Sequence, residues 1–331
     1  MTASRGPCAS TGRSRALAPP AVVDYVTMTT TEEPLRLLHL SDTHLSAPGV
    51  LHHGRVDTLA ATRRVLDACA VLPAPHVVVV SGDVSDDGSL ASYEAARDVV
   101  GGWARARGAR AVLAPGNHDQ RVPFRRVLGD GHLSAAGEAA GAGTAGPVPD
   151  GPVDACSWIG GRRLVTLDSS VPGAGYGGLD DAQLDWLRDE LRTPADAGTV
   201  LVVHHPPLPP VTRLHAVLRL RGLERLAAVL RGSDVRVVLS GHYHHATSGT
   251  FAGLPVVVAP GVANRTDTLV PEGEERAVRG SGAVLVELGA DGAVHATVHV
   301  VPGPEDGTEV FSYDADVVDR IAAAAGPRTP D

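Results

Sequence analysis

Histidine, aspartate and asparagine gather at five short places in this sequence, and the residue types point to metal chemistry. The segments are Asp42-Thr43-His44, Gly82-Asp83, Gly116-Asn117-His118-Asp119, His204-His205 and Gly241-His242-Tyr243-His244. They offer carboxylates, imidazoles and an Asn carbonyl, but no thiolate. Hard oxygen mixed with imidazole suits Mn, Fe, Zn or Co better than a structural zinc site, which favours cysteine. In extended backbone, residues two apart point the same way. Asp42 with His44, and His242 with His244, can therefore each grip one ion together. Asp83 stands alone, as a carboxylate shared between two ions would. One Asp-x-His or Gly-Asp by itself is commonly a turn or a cap. The five together carry the argument.

Each segment directly follows a short apolar run. The runs 35–40, 76–81, 110–114, 200–203 and 235–239 read as strands, and 163–167 is a sixth. Between them lie helical patterns at 57–70, 89–105, 180–192 and 214–231. Strand–helix alternation argues for an α/β fold. In such a fold, ligands bind at the carboxyl ends of the strands, so the five loops should converge on one crevice. Strands expected at 254–259, 282–288 and 293–300 lie close together and read as antiparallel pairs closing a second sheet. Residues 135–152 are a Gly/Ala/Pro-rich insertion, expected to be a mobile surface loop, and residues 303–331 form a C-terminal extension with a short helix.

Composition removes several alternatives. All 29 basic residues are Arg, because the 331-residue chain contains no Lys. Schiff-base and P-loop lysine chemistry are thereby excluded. A net charge of −9 gives no electrostatic grip on nucleic acid. Cys8, Cys69 and Cys156 form neither a disulfide framework nor a closely spaced ligand pair, so a reduced cytoplasmic setting is expected. No stretch reaches the ~18 uninterrupted apolar residues of a membrane span. Residues 1–33 form a tail of Ser, Thr, Arg and Pro without periodicity, lacking the apolar core of a secretory signal. One reading makes Met28 the true start of a domain spanning 34–302.

The five segments, in this order, resemble the calcineurin-like metallophosphoesterases. The wider details His39-Leu-Ser-Asp-Thr-His-Leu45, Leu167-Asp-Ser-Ser-Val-Pro-Gly173 and His204-His-Pro-Pro207 are similar to actinobacterial class III cyclic-nucleotide phosphodiesterases. So is Thr247-Ser-Gly-Thr-Phe-Ala-Gly-Leu-Pro-Val256, and the likeness covers roughly residues 35 to 300. The resemblance implies a four-layer α/β/β/α sandwich with two mixed sheets. It implies two divalent or mixed-valence transition-metal ions, Fe or Mn foremost, with Zn and Co as alternatives. One ion would take Asp42, His44, Asp83 and His244; the other would take Asp83, Asn117, His204 and His242. His118 would contact the phosphate and protonate the leaving oxygen, Asp119 would orient His118, and His205 would line the pocket behind the ligands. Asn117, His118 and His205 would also touch substrate. A hydroxide bridging the two ions would then attack phosphorus without a covalent enzyme intermediate. Members of the family are often homodimers.

The expected activity is hydrolysis of a small phosphodiester, such as cyclic AMP. A phosphomonoesterase or nuclease of the same superfamily is the alternative, and a metal-holding scaffold without catalysis is a third. A scaffold would have no use for His118 as a proton donor. The sequence does not rank cyclic AMP against other phosphodiesters, and with 3% aromatic residues it shows no obvious platform for a base. Other histidines read differently: His39 as a core residue, and His52, His53, His215, His295 and His299 as surface or edge positions. Two Gly-x-Gly-x-x-Gly matches (Gly141, Gly143, Gly146 and Gly173, Gly175, Gly178) lack the strand-to-helix turn of a dinucleotide site. The second is expected to form a rim of the phosphodiester site. Ser169 and Ser170 lack the Gly-x-Ser-x-Gly elbow of a serine hydrolase.

Overall fold

The computed structural model describes Met1 and residues 33–139, 141–143 and 150–327. The question of the start site, and residues 140 and 144–149 of the Gly/Ala-rich insertion, lie outside the described residues. Along the chain run β1 (Leu35–Leu40), α1 (Thr58–Ala68), β2 (Val77–Val80), α2 (Leu90–Ala96), α3 (Gly102–Arg105) and β3 (Arg110–Leu113). There follow α4 (Arg121–Leu128), β4 (His132–Leu133), β5 (Ala142–Gly143), β6 (Ala155–Ile159), β7 (Arg162–Leu167) and α5 (Asp181–Leu191). Next come β8 (Thr199–Val203), α6 (Arg213–Val217), α7 (Leu223–Leu230), β9 (Val235–Ser240), β10 (Thr247–Phe251) and β11 (Leu254–Val258). The last elements are β12 (Arg265–Thr266), β13 (Glu275–Val278), β14 (Ser281–Leu288), β15 (Val294–Val301), β16 (Glu309–Tyr313) and α8 (Ala315–Ala325).

The strands build one sheet in the order β15-β14-β1-β2-β3-β4 and another in the order β10-β11-β9-β8-β7-β6-β5. A small third sheet pairs β12, β13 and β16. Strand periodicity explains the layering. Leu37, Val77, Val79 and Val112 of the first sheet meet Leu164, Val200, Val202, Val237 and Leu239 of the second in a core between the sheets. Their neighbours point the other way. Leu38, Leu40, Val78, Val80 and Leu113 pack under α1, α2 and α4 with Val65, Tyr93 and Phe124. Val165, Leu167, Leu201, Val203 and Val238 pack under α5 and α7 with Leu184, Leu187 and Leu226. Runs buried on both faces have no polar side, which is why β2 can read as four consecutive valines. The result is the α/β/β/α sandwich.

Local signals set several boundaries. Asp57 and Ser89 cap α1 and α2 through their side chains, and Asp180 and Gln183 form a reciprocal capping box at the start of α5. The helical pattern at 89–105 contains a π-helical turn over Arg97–Gly101.

Two expectations are corrected. The hairpin β14–β15 does not close the second sheet. It extends the first, with β14 antiparallel to β1, and its Val284, Val286 and Leu288 complete the core between the sheets. The expected helix at 214–231 is broken into α6 and α7, because Gly222 adopts φ +71 and Leu220 is buried against the second sheet's outer core. The C-terminal extension contains a strand as well as the expected helix: β16 pairs with β13 and α8 follows. No helix among the described residues is long and apolar enough to cross a membrane.

Candidate metal centre

Strands β1, β2 and β3 run parallel in the first sheet, so their carboxyl ends share one edge. Strands β8 and β9 run parallel in the second. The two edges are tied together where Val262 and Ala263, just beyond β11, donate backbone hydrogen bonds to the carbonyls of Ser41 and Asp42 at 3.0 Å each. The loops after these five strands carry Asp42 and His44, Asp83, Asn117, His204, and His242 and His244. The first four come from one sheet and the last three from the other. The crevice is the seam between the sheets.

The structure brings Asp42, His44, Asp83 and His244 together, with one donor atom from each lying within 4.8 Å of the others. His204, His205 and His242 form a second such group. Asp83 stands between the two. Its Oδ2 is 3.6 Å from His44 Nε2 and 3.3 Å from His204 Nε2. Asn117 opens on the same cavity as His44, Asp83, His242 and His244. His242 and His244 do not grip one ion side by side as their spacing had implied. His242 packs against His204 at 5.2 Å between ring centroids, and His244 against His44 at 5.0 Å. The reason is the backbone: both sit at positive φ, 66° and 52°, so the alternation of an extended strand does not apply.

That conformation recurs across the site. Asp42, His44 and Asp83 have φ of 54°, 43° and 47°. Left-handed backbone at a non-glycine residue costs on the order of 1–3 kcal/mol and persists where the surroundings enforce it. Glycines make the room that the convergence requires. A Cβ at Gly82 would collide with the His204 ring, and one at Gly116 would collide with Asp83.

Each imidazole is oriented through its second nitrogen, as metal-binding histidines commonly are. His44 Nδ1 pairs with Asp86 Oδ1 at 3.0 Å, and His204 Nδ1 donates to the Ser81 carbonyl at 3.0 Å. His244 Nδ1 faces the Asn264 carbonyl at 3.3 Å, and His242 Nε2 donates to the Leu218 carbonyl at 3.0 Å. The break between α6 and α7 delivers that last carbonyl. The other nitrogen of each ring is left toward the crevice. His204 Nε2 and Asn117 Oδ1 are buried there without a hydrogen bond.

The electrostatics match a site built for cations. Burial works against both carboxylates, yet His244 holds Asp42 down to about 2, and His204 and His118 hold Asp83 well below its ordinary range. Burial likewise lowers His204 and His244, but Asp83 lifts His204 to about 9 and Asp42 raises His244. Burial takes His44 down to about 3 and His242 well below its usual value. The buried carboxylates thus favour the charged forms of His204 and His244, a charge balance that cations would take over by displacing protons. The donor set, its orientation and its unpartnered atoms fit a pair of metal ions.

Beside this cluster, His118 donates its backbone N–H to Asp83 Oδ1 at 2.9 Å, and its side chain is 43% exposed at the cavity. Its Nδ1 is 3.4 Å from Asp86 Oδ1. Burial lowers the imidazole, but the charges of Asp83 and Asp86 lift it to about 9. Asp119 does not orient His118. Its carboxylate accepts backbone hydrogen bonds from Gly116, Val84 and Ser85 at 2.8–3.0 Å, clamping the loop that carries Asp83 to the loop that carries Asn117. Burial, with the charge of Asp83, pushes the Asp119 carboxyl up to about 7. His205 does not line the cavity. Its Nδ1 pairs with Ser169 Oγ at 2.8 Å and its Nε2 with the Gly175 carbonyl at 3.2 Å, and it packs behind His242. Ser169 thus has a structural partner, and the second glycine cluster backs the site through Gly175.

Several residues here were read otherwise or overlooked. Asp86 joins His44, His118 and, through Oδ2 at 3.1 Å, His52. His52 is buried, with Nε2 on Asn264 Oδ1 at 3.1 Å, rather than a surface residue. His215 is also buried, 2.8 Å from Thr212 Oγ1 and lining the cavity. His39 is the core residue it was taken for, paired with Ser81 Oγ at 2.9 Å.

Residues 35–246 match the family model of the calcineurin-like phosphoesterases. The chain belongs to that family. Among its relatives, a probable cyclic nucleotide phosphodiesterase of Rhodococcus erythropolis is 42% identical over 294 residues, covering 88% of this chain and 91% of the relative. A cAMP/cGMP dual specificity phosphodiesterase of Mycobacterium tuberculosis is 37% identical, covering 83% of this chain and 82% of its own length. The fold is also that of a purple acid phosphatase from yellow lupin, with a TM-score of 0.54 at 14% identity. That match covers 90% of this phosphoesterase, which spans 57% of the lupin chain.

Proposed function

We propose that this phosphoesterase hydrolyses 3′,5′-cyclic nucleotides, with Asp42, His44, Asp83 and His244 holding one transition-metal ion and Asp83, Asn117, His204 and His242 a second. The observation that carries the reading is the Asp83 carboxylate, with one oxygen between His44 Nε2 and His204 Nε2. The donor set suits Fe, Mn, Zn or Co, and the family resemblance favours Fe or Mn. Such a pair supplies Lewis acidity and a water acidic enough to act at neutral pH.

The chain's own groups do the rest. Asn117 and His118 stand side by side at the cavity, where a phosphate would meet the amide and the imidazole together. Asp86 engages His118 at Nδ1, which leaves Nε2 toward the cavity as a proton donor. As water adds to phosphorus and the P–O3′ bond breaks, His118 gives its proton to the departing oxygen, and a nucleoside 5′-monophosphate results. A positioned acid of this kind contributes ~10²–10⁴-fold. Asp119 holds the two loops in register while this happens.

The cyclic nucleotide as substrate rests on the two relatives, which are similar over more than four-fifths of both chains. A cytoplasmic setting follows from the same reading. The test is a panel assayed with Mn-reconstituted protein: 3′,5′-cyclic AMP and GMP, 2′,3′-cyclic AMP, a glycerophosphodiester and a phosphomonoester. The 3′,5′-cyclic nucleotides should lead in kcat/KM by more than an order of magnitude. A lead by the glycerophosphodiester or the monoester would overturn the assignment.

A further inference from the structure

The chain has only 3 phenylalanines, and one of them stands in the wall of the metal-site cavity. Phe311 belongs to β16, which the antiparallel pairing with β13 carries back to the site, with Phe311 opposite Ala277. The ring is held from several directions. It packs on a small core of Val56, Ala277 and Val310, and Tyr313, two residues along the same strand face, stacks on it at 4.6 Å between centroids and 17°. At its other border the His53 imidazole stands 4.7 Å away at 44°. His53 itself adopts φ 49°, a strained backbone that presents its side chain at this rim.

The cavity has a volume of about 130 Å³, with Asp83, Asn117 and His118 among the residues lining it and Phe311 and His53 in its wall. Drug-sized ligands occupy pockets of roughly 300 Å³ or more, so a nucleotide with its phosphate at Asn117 must leave part of itself at the open mouth. The half-buried Phe311 ring and His53 belong to the wall of this same cavity, within reach of a ligand whose phosphate sits at Asn117. Stacking requires a flat, fixed π-face, and a ring already pinned on its strand gives up little freedom when a ligand lands on it.

We propose that Phe311, with His53 beside it, is the platform on which the nucleobase of the substrate stacks. This rests on the cyclic-nucleotide reading and names the part of the site that distinguishes a nucleotide from any other phosphodiester. Because every base has a π-face, the platform selects for a base without selecting strongly among bases. Alanine substitution at such platforms costs ~1–3 kcal/mol per base, which is about 5- to 150-fold in affinity.

The test compares two competitive inhibitors of bis(4-nitrophenyl) phosphate hydrolysis by the metal-loaded protein. Adenosine 5′-monophosphate carries the base, and ribose 5-phosphate lacks it. In the unmodified protein the monophosphate should bind at least tenfold more tightly. In Phe311→Ala that ratio should fall toward one while the inhibition constant of ribose 5-phosphate stays the same. Phe311→Leu keeps apolar volume against Val56 and Ala277 but has no π-face, and it should lose the ratio with its thermal midpoint preserved. Phe311→Trp should restore it. A ratio unchanged in Phe311→Leu, or a parallel loss for both inhibitors, would overturn the platform. If the unmodified protein hydrolyses no cyclic nucleotide, the functional assignment fails, and the inhibitor ratio still decides the platform by itself.

Discussion

His44 and His244 face each other across the seam with their Nε2 atoms 3.2 Å apart. Both Nδ1 atoms are committed elsewhere, to Asp86 and to the Asn264 carbonyl. The facing nitrogens can share one cation, a proton or a metal ion. Burial lowers His44, whereas Asp42 raises His244 against the effect of burial, so a proton between them is favoured on His244.

Metal uptake should therefore release protons. His204, with its affinity for a proton lifted to about 9 by Asp83 against the effect of burial, is charged at pH 7 in the metal-free protein. His244 is raised in the same direction by Asp42. Titrating metal into the stripped protein at pH 7, in buffers of different ionisation enthalpy, should show proton release on binding, with His204 the main source. The release due to His204 should fade above pH ~9, and apparent metal affinity should rise as pH approaches that value. Uptake without proton release would contradict this account of the charges.

Asp83 is the shared carboxylate, so its loss should be felt at both positions. Elemental analysis should find close to two transition-metal ions per chain in the unmodified protein, and Asp83→Ala should lose most of both. A variant that kept one ion at full occupancy would show that the two positions do not share this ligand.

His118 separates chemistry from metal holding, because its backbone is tied to Asp83 while its side chain faces the cavity. His118→Ala should retain the metals and lower turnover of a cyclic nucleotide by the ~10²–10⁴-fold of a lost general acid. Activity on bis(4-nitrophenyl) phosphate should suffer much less, because a nitrophenolate departs without a proton. Equal losses on the two substrates would assign His118 to phosphate positioning alone.

Away from the site, Asp154 ties stability to pH. Its Oδ1 accepts from the Asp168 backbone and from Gln183 Nε2, and its Oδ2 is buried without a hydrogen bond. Burial pushes its carboxyl up to about 7, opposed by those donors and reinforced by the charges of Asp168 and Asp180. A carboxyl raised in the folded state favours folding at low pH and loses that contribution as pH climbs through the raised value. Asp154→Asn keeps the acceptor and removes the titration. Its thermal midpoint should gain on the unmodified protein as pH rises from about 4 to about 7, and parallel melting profiles would refute the assignment.

The ligand loops were legible because each follows an apolar run so closely that strand and site are read together. Leu35–Leu40 leading into Asp42 is the plainest case. The partners of those ligands were harder. Asp86, three residues beyond Asp83 in an acidic turn, looks like ordinary turn chemistry, and its importance depends on His52 and His118 arriving from elsewhere. The exchange of Asp119 for Asp86 as the neighbour of His118 has the same origin, since adjacency along the chain says little about which carboxylate meets an imidazole. The sheet joined by β14 was hidden for a related reason. Strand periodicity identifies a strand and its faces, whereas β1 becomes its neighbour only through the packing of Val284, Val286 and Leu288. Phe311 was overlooked because β16 is short and lies far along the chain from the loops it reaches.

The left-handed backbone at Asp42, His44, Asp83, His242 and His244 narrows the alphabet available at these positions. Asp, Asn and His are the non-glycine residues that enter this region most readily, and they also ligate metals. Two independent filters, one conformational and one coordinative, therefore pass nearly the same set of side chains. Glutamate at position 83 would keep the charge but would sit less readily in that backbone, and a β-branched residue would fail both filters. In a saturation scan of this crevice, tolerance should follow backbone preference as well as charge, so asparagine should outrank glutamate at the aspartate positions whenever folding, rather than turnover, is scored.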